Sequence, residues 1–117
     1  MSICVLTGTD TPSAYVVAGF GRHDELALLV RAGLTPMQAL HAASRAPAEY
    51  LGELKTQGTI ERGKVANLIL LDADPLKDIR NTARINAVIQ NGRYLSREDL
   101  DKILADVEAA ANRPEKP

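Results

Sequence analysis

The chain has 117 residues and a mass of 12.6 kDa, the size of one compact domain. Its 14 Lys and Arg residues nearly balance 15 Asp and Glu residues, and 45% of the residues are hydrophobic, which excludes a disordered chain and a strongly basic nucleic-acid binder. The longest apolar runs, such as residues 26–30 and 68–71, are far shorter than the roughly 20 residues that a membrane-spanning helix needs. We therefore expect a globular domain with no nucleic-acid partner and no membrane partner.

The amino-terminal segment has none of the features of a secretory signal. It lacks a basic region, and the continuous apolar run before Thr7 is only four residues long. Cys4 is the single cysteine of the sequence, so no intrachain disulfide can form, and its place in an apolar run predicts a buried thiol. Together these features predict a cytoplasmic protein.

The first element in chain order is a predicted buried strand over residues 3–6. The polar residues 7–12 form the loop that leaves its carboxyl end. Residues 15–21 are weakly patterned and are predicted to be a loop. A helix over residues 23–32 follows, because an apolar block stands behind two acids that favour the positive end of a helix, and Gly33 supplies the left-handed residue that ends it.

The tetrapeptide Thr-Pro-Met-Gln at residues 35–38 is a capping box and predicts a second helix. The Thr hydroxyl caps the helix, Pro fits the first helical position, and the Gln side chain reaches back to the cap. This helix is expected to end near Arg45. Pro47 is expected to open another short helix, which Gly52 ends.

From Gly58 onward the pattern changes to strands and turns. The predicted strands are residues 59–60, 68–71, 85–90 and 93–95. A turn at residues 61–64 separates the first two strands. Asn91-Gly92 is the strongest short hairpin signal, and it joins the last two.

Ser96 is predicted to cap a final helix with one apolar stripe. The stripe consists of Leu100, Ile103, Leu104, Val107 and Ala111. Residues 113–117 are expected to fray. The sequence contains no internal repeat and no linker that would separate two self-sufficient domains.

Asp10 is the first candidate for chemistry, because it lies just past the carboxyl end of a predicted buried strand, the edge at which α/β proteins build their sites. A carboxylate there can bind a metal or take a proton from water. The alternative is that Asp10 caps its loop. His23 could face the same edge and contact a substrate, or it could be a surface histidine near a helix start. His41 is expected to be a core or boundary histidine without a function.

The sequence lacks the ligand set of a complete metal centre. It has two histidines and one cysteine, with no H-x-H, H-E-x-x-H or paired-cysteine spacing, whereas a catalytic zinc site usually has three protein ligands. No P-loop, dinucleotide-binding glycine pattern or G-x-S-x-G motif occurs. The residues alone therefore indicate Asp10 as a candidate catalytic or metal-binding residue, and little else.

A series of short motifs runs in a fixed order along nearly the whole chain, up to the final helix. The motifs are Gly8-Thr9-Asp10-Thr11-Pro12, His23-Asp24-Glu25-Leu26, Ala32-Gly33-Leu34-Thr35-Pro36, Ala39-Leu40, Pro47-Ala48, Tyr50-Leu51-Gly52, Gly58-Thr59-Ile60, Gly63-Lys64-Val65-Ala66-Asn67-Leu68, Asp72-Ala73-Asp74-Pro75-Leu76, Asp78-Ile79 and Asn91-Gly92-Arg93-Tyr94. In this order and spacing they resemble the C-terminal portion of metal-dependent amidohydrolases, specifically the imidazolonepropionase-like and prolidase-like branch. Two positions depart from the family: Asn67 stands where it commonly has Asp, and Arg62 where it commonly has Pro.

The resemblance implies an α/β fold in which a (β/α)₈ barrel carries a small β-sandwich built from both chain ends. Residues 1–57 would be the end of the barrel, with strand eight and the helices after it. Residues 58–95 would be the C-terminal strands of the sandwich, and residues 96–117 a terminal helix and tail. In this family the Asp after the eighth strand contacts the metal and activates the hydrolytic water, and Asp10 falls on that position.

A barrel of this kind needs about 250 residues, and the family's H-x-H, bridging lysine and later histidines belong upstream of the positions present here. The leading hypothesis is a C-terminal segment of a hydrolase that acts on C–N bonds of amides, cyclic amides or dipeptides. The intact enzyme would hold a divalent metal, zinc first, and the chain alone would be inactive, with the missing barrel segment as its partner. The alternative hypothesis is a non-catalytic module that forms a homo-oligomer through exposed strand edges.

Overall fold

The computed structural model describes residues 4–11 and 19–112, which fold into helices and a small antiparallel sheet. The α-helices are α1 (Gly21–Arg31), α2 (Pro36–Ala43), α3 (Arg45–Tyr50) and α4 (Arg97–Ala111), a 3₁₀-helix spans Ile79–Ala83, and the strands are β1 (Leu68–Leu71), β2 (Ile85–Gln90) and β3 (Arg93–Leu95). Helices therefore fill the first half of the described chain and the sheet lies in the second. The expected α/β class is confirmed at this level.

The ends of α1 and α2 follow from local chemistry. Gly33 has φ +113° and its N–H donates to the Val30 carbonyl at 3.0 Å, while the Leu34 N–H donates to the Leu29 carbonyl at 3.1 Å. These two bonds form a Schellman motif, which a left-handed glycine makes possible. At the start of α2, the Gln38 N–H donates to the Thr35 hydroxyl at 3.2 Å, and the Gln38 side chain accepts from the Thr35 N–H at 2.8 Å. The predicted stop and the predicted capping box are both confirmed.

Helix α3 begins two residues earlier than predicted. Pro47 was expected to open it, but the helix already starts at Arg45. Pro47 still lies in the first turn, where its missing N–H would have no intrahelical partner. Gly52, with φ +73°, follows the helix and donates to the Glu49 carbonyl at 3.1 Å, so the predicted end is confirmed.

The sheet has strand order β1-β2-β3, with both pairs antiparallel. Asn91 and Gly92 form the turn between β2 and β3 with φ values of +49° and +80°. Positive φ at both central residues is what a two-residue type I′ turn requires, so the hairpin prediction is confirmed. The Asn91 N–H also donates to the Asn67 side-chain oxygen at 2.8 Å, which ties the turn to the segment entering β1.

The core of the described chain is small and consists mainly of alanine. Leu26 of α1, Ala39 of α2 and Ile79 of the 3₁₀-helix form one buried cluster. No large side chain among the described residues is completely buried. The chain exposes 9286 Å² of surface, whereas a compact monomer of this mass exposes about 6,200 Å². Its radius of gyration of 16.2 Å likewise exceeds the roughly 13 Å expected of a compact chain of this length.

Two predicted strands are wrong where the structure describes them. Residues 4–6 of the predicted strand at 3–6 form no strand, because no described segment pairs with their backbone; residue 3 lies outside the described residues. Residues 59–60 also form no strand. The Thr59 hydroxyl instead donates to the Glu61 carboxylate at 2.7 Å, and Ile60 is 84% exposed. Side-chain hydrogen bonds within this loop thus take the place of the expected strand pairing. The predicted turn at residues 61–64 does form.

Two predicted burials are also wrong. Cys4 is exposed, because its segment lacks the flanking strands that would cover it among the described residues. His41 is exposed as well, since α2 buries its other face through Ala39 and Ala42. Neither side chain belongs to the core.

Helix α4 begins as predicted, with the Ser96 hydroxyl accepting from the Asp99 N–H at 3.2 Å. Its apolar stripe, however, is largely exposed: Leu100 is half-buried, and Leu104 is 57% exposed. The predicted loop at residues 15–21 lies mostly outside the described residues, but its last residue is helical, because α1 begins at Gly21. The predicted fraying at 113–117 lies wholly outside the described residues. Within the described ranges, none of the helices has the length and hydropathy to cross a bilayer.

Candidate active site

The segment that carries Asp10 lies against the helices α1 and α2. The Thr7 N–H donates to the Ala42 carbonyl at 3.1 Å, and Arg22 Nη1 donates to the Thr7 hydroxyl at 3.1 Å. The Gly8 N–H donates to Glu25 Oε1 at 2.8 Å. These three bonds fix the backbone just before Asp10, although the segment forms no strand.

Asp10 itself is exposed and has φ +53°, a left-handed conformation that Asp tolerates better than most residues. Next to it, the Thr9 and Thr11 hydroxyls are hydrogen-bonded to each other at 3.0 Å. Among the described residues, none donates a hydrogen bond to the Asp10 carboxylate, so the loop-capping alternative gains no support from them. The carboxylate is therefore accessible to a ligand or a proton donor.

His23 is half-buried and does not contact Asp10. Its Nδ1 lies 3.0 Å from the Thr82 hydroxyl oxygen, and that hydroxyl donates to the Ile79 carbonyl at 2.9 Å. A hydroxyl has a single proton, so the His23 Nδ1–H must be the donor in the first bond. Neutral His23 is thus protonated at Nδ1, and its Nε2 carries the lone pair.

His23 and Thr82 line an open groove of about 690 Å³ between the helices α1 to α3 and strand β1. The apolar part of its lining includes Leu26, Leu40, Pro47, Ile60, Leu68 and Leu71. Arg22 also lines the groove and holds Thr7, so it connects the groove to the Asp10 segment. A mostly apolar wall with a few polar groups is typical of small-molecule sites.

No local sequence pattern reveals the residues that organise this region. The sequence indicates Glu25 only as an acid favourable near a helix start, and it marks neither Arg22 nor Thr82. Their contacts span 17, 15 and 59 positions in the chain, so no short motif could have revealed them. The roles predicted for Asp10 and His23 stay predictions.

The described residues do not form a complete metal-binding site by themselves. Residues 4–11 and 19–112 contain no group of three or more His, Cys, Asp or Glu side chains placed to hold one. Asp10 offers one carboxylate, and His23, which does not contact Asp10, offers at most one further donor through Nε2. A catalytic zinc needs about three protein ligands, so this set is incomplete.

The carboxyl groups of the described chain whose pKa is shifted lie away from Asp10 and from the groove beside His23. Hydrogen bonds from Thr59 and Lys64 lower the pKa of Glu61, and the Arg80 guanidinium lowers the pKa of Asp78. The pKa of Asp99 is lowered by the Ser96 N–H at the start of α4. These carboxylates stabilise turns and a helix start, and none of them lines the groove beside His23.

The sequence model of the Amidohydrolase family matches residues 2–95. Three similar solved structures are molinate hydrolase (27% identity, 83% of this chain, 20% of that chain, TM-score 0.70), phenylurea hydrolase B (34%, 72%, 18%, 0.65) and a Xaa-Pro dipeptidase with bound methionine in its active site (30%, 63%, 18%, 0.60). No match was found among the curated proteins. The chain spans only about a fifth of the length of these solved relatives. With the family match covering most of its length, the chain belongs to the Amidohydrolase family.

Proposed function

We propose that this chain contributes the Asp10 carboxylate and part of the substrate groove to a metal-dependent hydrolase of C–N bonds in amides, cyclic amides or dipeptides. The observation that carries the proposal is the Asp10 segment: three hydrogen bonds fix it on α1 and α2, while the Asp10 carboxylate accepts none from the described residues. A fixed and accessible carboxylate suits a group that must meet a ligand.

The proposed reaction adds water across the C–N bond. The water oxygen bonds to the carbonyl carbon, and the nitrogen leaves with a proton. Asp10 serves as the base that takes a proton from the attacking water. The relatives named a dipeptidase and a phenylurea hydrolase act on substrates with such bonds, which supports this reaction class.

His23 is proposed to contact the substrate through Nε2, the ring nitrogen that Thr82 leaves available. Because Thr82 fixes the ring by Nδ1, the position of Nε2 is set before a substrate arrives. The apolar lining beside it, such as Leu26 and Leu40, suits a small substrate with an apolar part. We propose that loops of the barrel segment, and not this groove alone, select the substrate.

The divalent metal of the intact enzyme, zinc first, is proposed to take most of its ligands from a barrel segment outside this chain. The thin alanine core and the large exposed surface support such a partner, because the described residues bury little on their own. We accordingly propose residues 1–57 as the end of the barrel, residues 58–95 as sandwich strands and residues 96–117 as a terminal helix and tail. The chain alone is proposed to be inactive.

The proposal is tested first with the chain alone. Titration with zinc or manganese, followed by assay on dipeptides and cyclic amides, is expected to give no turnover. Turnover by the chain that disappears in Asp10→Asn would overturn the proposed inactivity.

The second test is a chimera in which this chain replaces the matching segment of the Xaa-Pro dipeptidase. Dipeptide hydrolysis by the chimera is expected to fall by about 100-fold or more in Asp10→Asn, the range typical of a lost acid or base. Asp24→Asn is the matched control, since Asp24 is exposed on α1 and is expected to leave the rate unchanged. Equal rates for the chimera and its Asp10→Asn variant would remove Asp10 from the reaction.

A second candidate function, a self-associating module without catalysis, is favoured by the exposed apolar side chains. These are Ile69 and Leu70 on β1, an edge strand of the described sheet, and Ile103, Leu104 and Val107 on α4. Light scattering on the purified chain separates the candidates. A stable dimer that Leu104→Glu dissociates supports the module, whereas a monomer that a barrel segment stabilises supports the hydrolase.

A further inference from the structure

We propose that Glu25 is the positioning residue of the Asp10 segment: its carboxylate holds the Gly8 backbone and so sets where Asp10 lies. The inference rests on the proposed function, because a catalytic role for Asp10 requires that the position of its carboxylate be fixed. Glu25 Oε1 accepts the Gly8 N–H at 2.8 Å, two residues before Asp10.

Glu25 is itself well anchored. Its neighbour Leu26 is 4% exposed and packs in the core cluster with Ala39 and Ile79. The backbone of α1 at Glu25 is therefore fixed by packing, and the carboxylate transmits that fixed position to Gly8. The adjacent acid Asp24 is exposed and takes part in no such bond among the described residues.

The position beside the Gly8 Cα is open, so hydrogen bonds are the visible restraint on this backbone. A Cβ added at Gly8 would meet no atom of the other described residues within 4 Å, its two chain neighbours aside, so no described side chain fills the space beside its Cα. What fixes the backbone here is polar: the Thr7 N–H on Ala42, Arg22 on the Thr7 hydroxyl, and the Gly8 N–H on Glu25. The Glu25 bond is the one of these three that lies nearest to Asp10 in sequence.

The arrangement also carries two energetic costs at one place. Glu25 Oε2 is completely buried and has no hydrogen-bond donor among the described residues, and Asp10 adopts a left-handed backbone. A buried acceptor without a donor and a non-glycine residue at positive φ are each unfavourable, and such costs concentrate at functional sites. An apolar side chain at position 25 would avoid the first cost but could not hold Gly8.

The test is amide hydrogen exchange measured by NMR on the full chain. In Glu25→Leu and in Glu25→Asp, which withdraws the carboxylate by one methylene, exchange of the Gly8 amide is expected to accelerate at least about tenfold, and the Asp10 amide resonance is expected to shift. Glu25→Gln keeps an acceptor oxygen and is expected to restore both signals. The Thr7 amide, bonded to Ala42, is the internal reference, and Asp24→Leu is the control on the same helix.

The inference is overturned if Gly8 exchange is unchanged in Glu25→Asp, or if Asp24→Leu accelerates it equally. Should Glu25→Leu unfold the chain, Glu25→Asp and Glu25→Gln still decide, because both keep a polar side chain at this position. The outcome is independent of hydrolysis. Failure of the proposed function would appear as an active Asp10→Asn chimera, whereas failure of the positioning role would appear in the Gly8 exchange.

Discussion

The Nδ1 atom of His23 and the hydroxyl oxygen of Thr82 lie 3.0 Å apart, although 59 positions separate them in the sequence. The bond joins helix α1 to the 3₁₀-helix and lies at the wall of the groove. Thr82 is 7% exposed, and among the described residues it is the only polar one that is buried. Its hydroxyl is satisfied twice, by the His23 donor and by the Ile79 carbonyl, so no burial cost is left uncompensated.

Thr82→Val should lower the free energy of unfolding by about 1–3 kcal/mol, because it keeps the volume but leaves the His23 Nδ1–H without its acceptor. Urea unfolding measures the loss. Thr56→Val is the matched control: the Thr56 hydroxyl also donates three residues back, to the Glu53 carbonyl at 3.0 Å, but it is exposed and bonds no histidine. Equal losses in the two variants would mean that the histidine bond does not stabilise the fold.

Gly58→Ala should destabilise the chain more than Gly63→Ala. Both glycines have positive φ, +90° and +84°, so both substitutions carry the backbone cost of about 1 kcal/mol or more. At Gly58 the new Cβ would also lie 2.5 Å from the Ala48 Cβ, whereas at Gly63 it would meet nothing within 4 Å. Overpacking adds about 1–3 kcal/mol. Calorimetric melting of the two variants gives the difference, and equal melting temperatures would contradict the close approach of residue 58 to α3.

Features that depend on neighbouring residues alone are predicted correctly from the sequence. The left-handed stop at Gly33, the capping boxes at Thr35 and Ser96, and the Asn91-Gly92 hairpin all depend on residues within a few positions of one another. Each of these features closes its own hydrogen bonds, so its outcome does not depend on distant packing. The strands at residues 68–71, 85–90 and 93–95 are predicted correctly as well, because turn residues bound each of these segments.

Features that need a distant partner could not be predicted. An apolar run at residues 3–6 reads as a buried strand, but burial and pairing depend on neighbouring strands, and the described residues supply none there. Thr59 favours a strand by propensity, yet Glu61 and Lys64 offer its hydroxyl local bonds. At the candidate site, the position of Asp10 after an apolar run identifies it as a candidate from the sequence. The Glu25 contact that holds its segment joins Gly8 to a residue 17 positions away, so the sequence does not reveal it.

Lys64→Met should destabilise the chain by about 1–3 kcal/mol, because the side chain is only 10% exposed and uses its protons on three acceptors. These are the Leu54 carbonyl at 2.6 Å, the Thr59 hydroxyl and the Glu61 carboxylate at 3.2 Å. Methionine has a similar length but donates nothing, so the Leu54 carbonyl loses this donor. Thermal melting checks the prediction against Lys55→Met, an exposed lysine on the same loop. If both variants melt together, the ammonium of Lys64 does not hold the loop.

Acid should weaken the amino-terminal end of α4 through Asp99. Its folded-state pKa lies below the ordinary 3.8, chiefly because the Ser96 N–H donates to the carboxylate, at 2.9 Å. The unfolded state therefore binds the proton more readily, so the contribution of Asp99 is present above the ordinary pKa and is lost as the pH falls from about 5 through the folded-state pKa. The pKa values of Glu61 and Asp78 are lowered too, and both groups act in the same direction.

Asp99→Asn should accordingly reduce the pH dependence of stability below about pH 5 without abolishing it, since Glu61 and Asp78 still titrate. The measurement is urea unfolding followed by circular dichroism at neutral pH and in acid. Glu98→Gln is the control, because Glu98 lies in the same first turn but does not accept the Ser96 N–H. A variant at position 98 that flattens the pH profile as much as Asp99→Asn would show that the general charge of the turn, and not the capping bond, produces the effect.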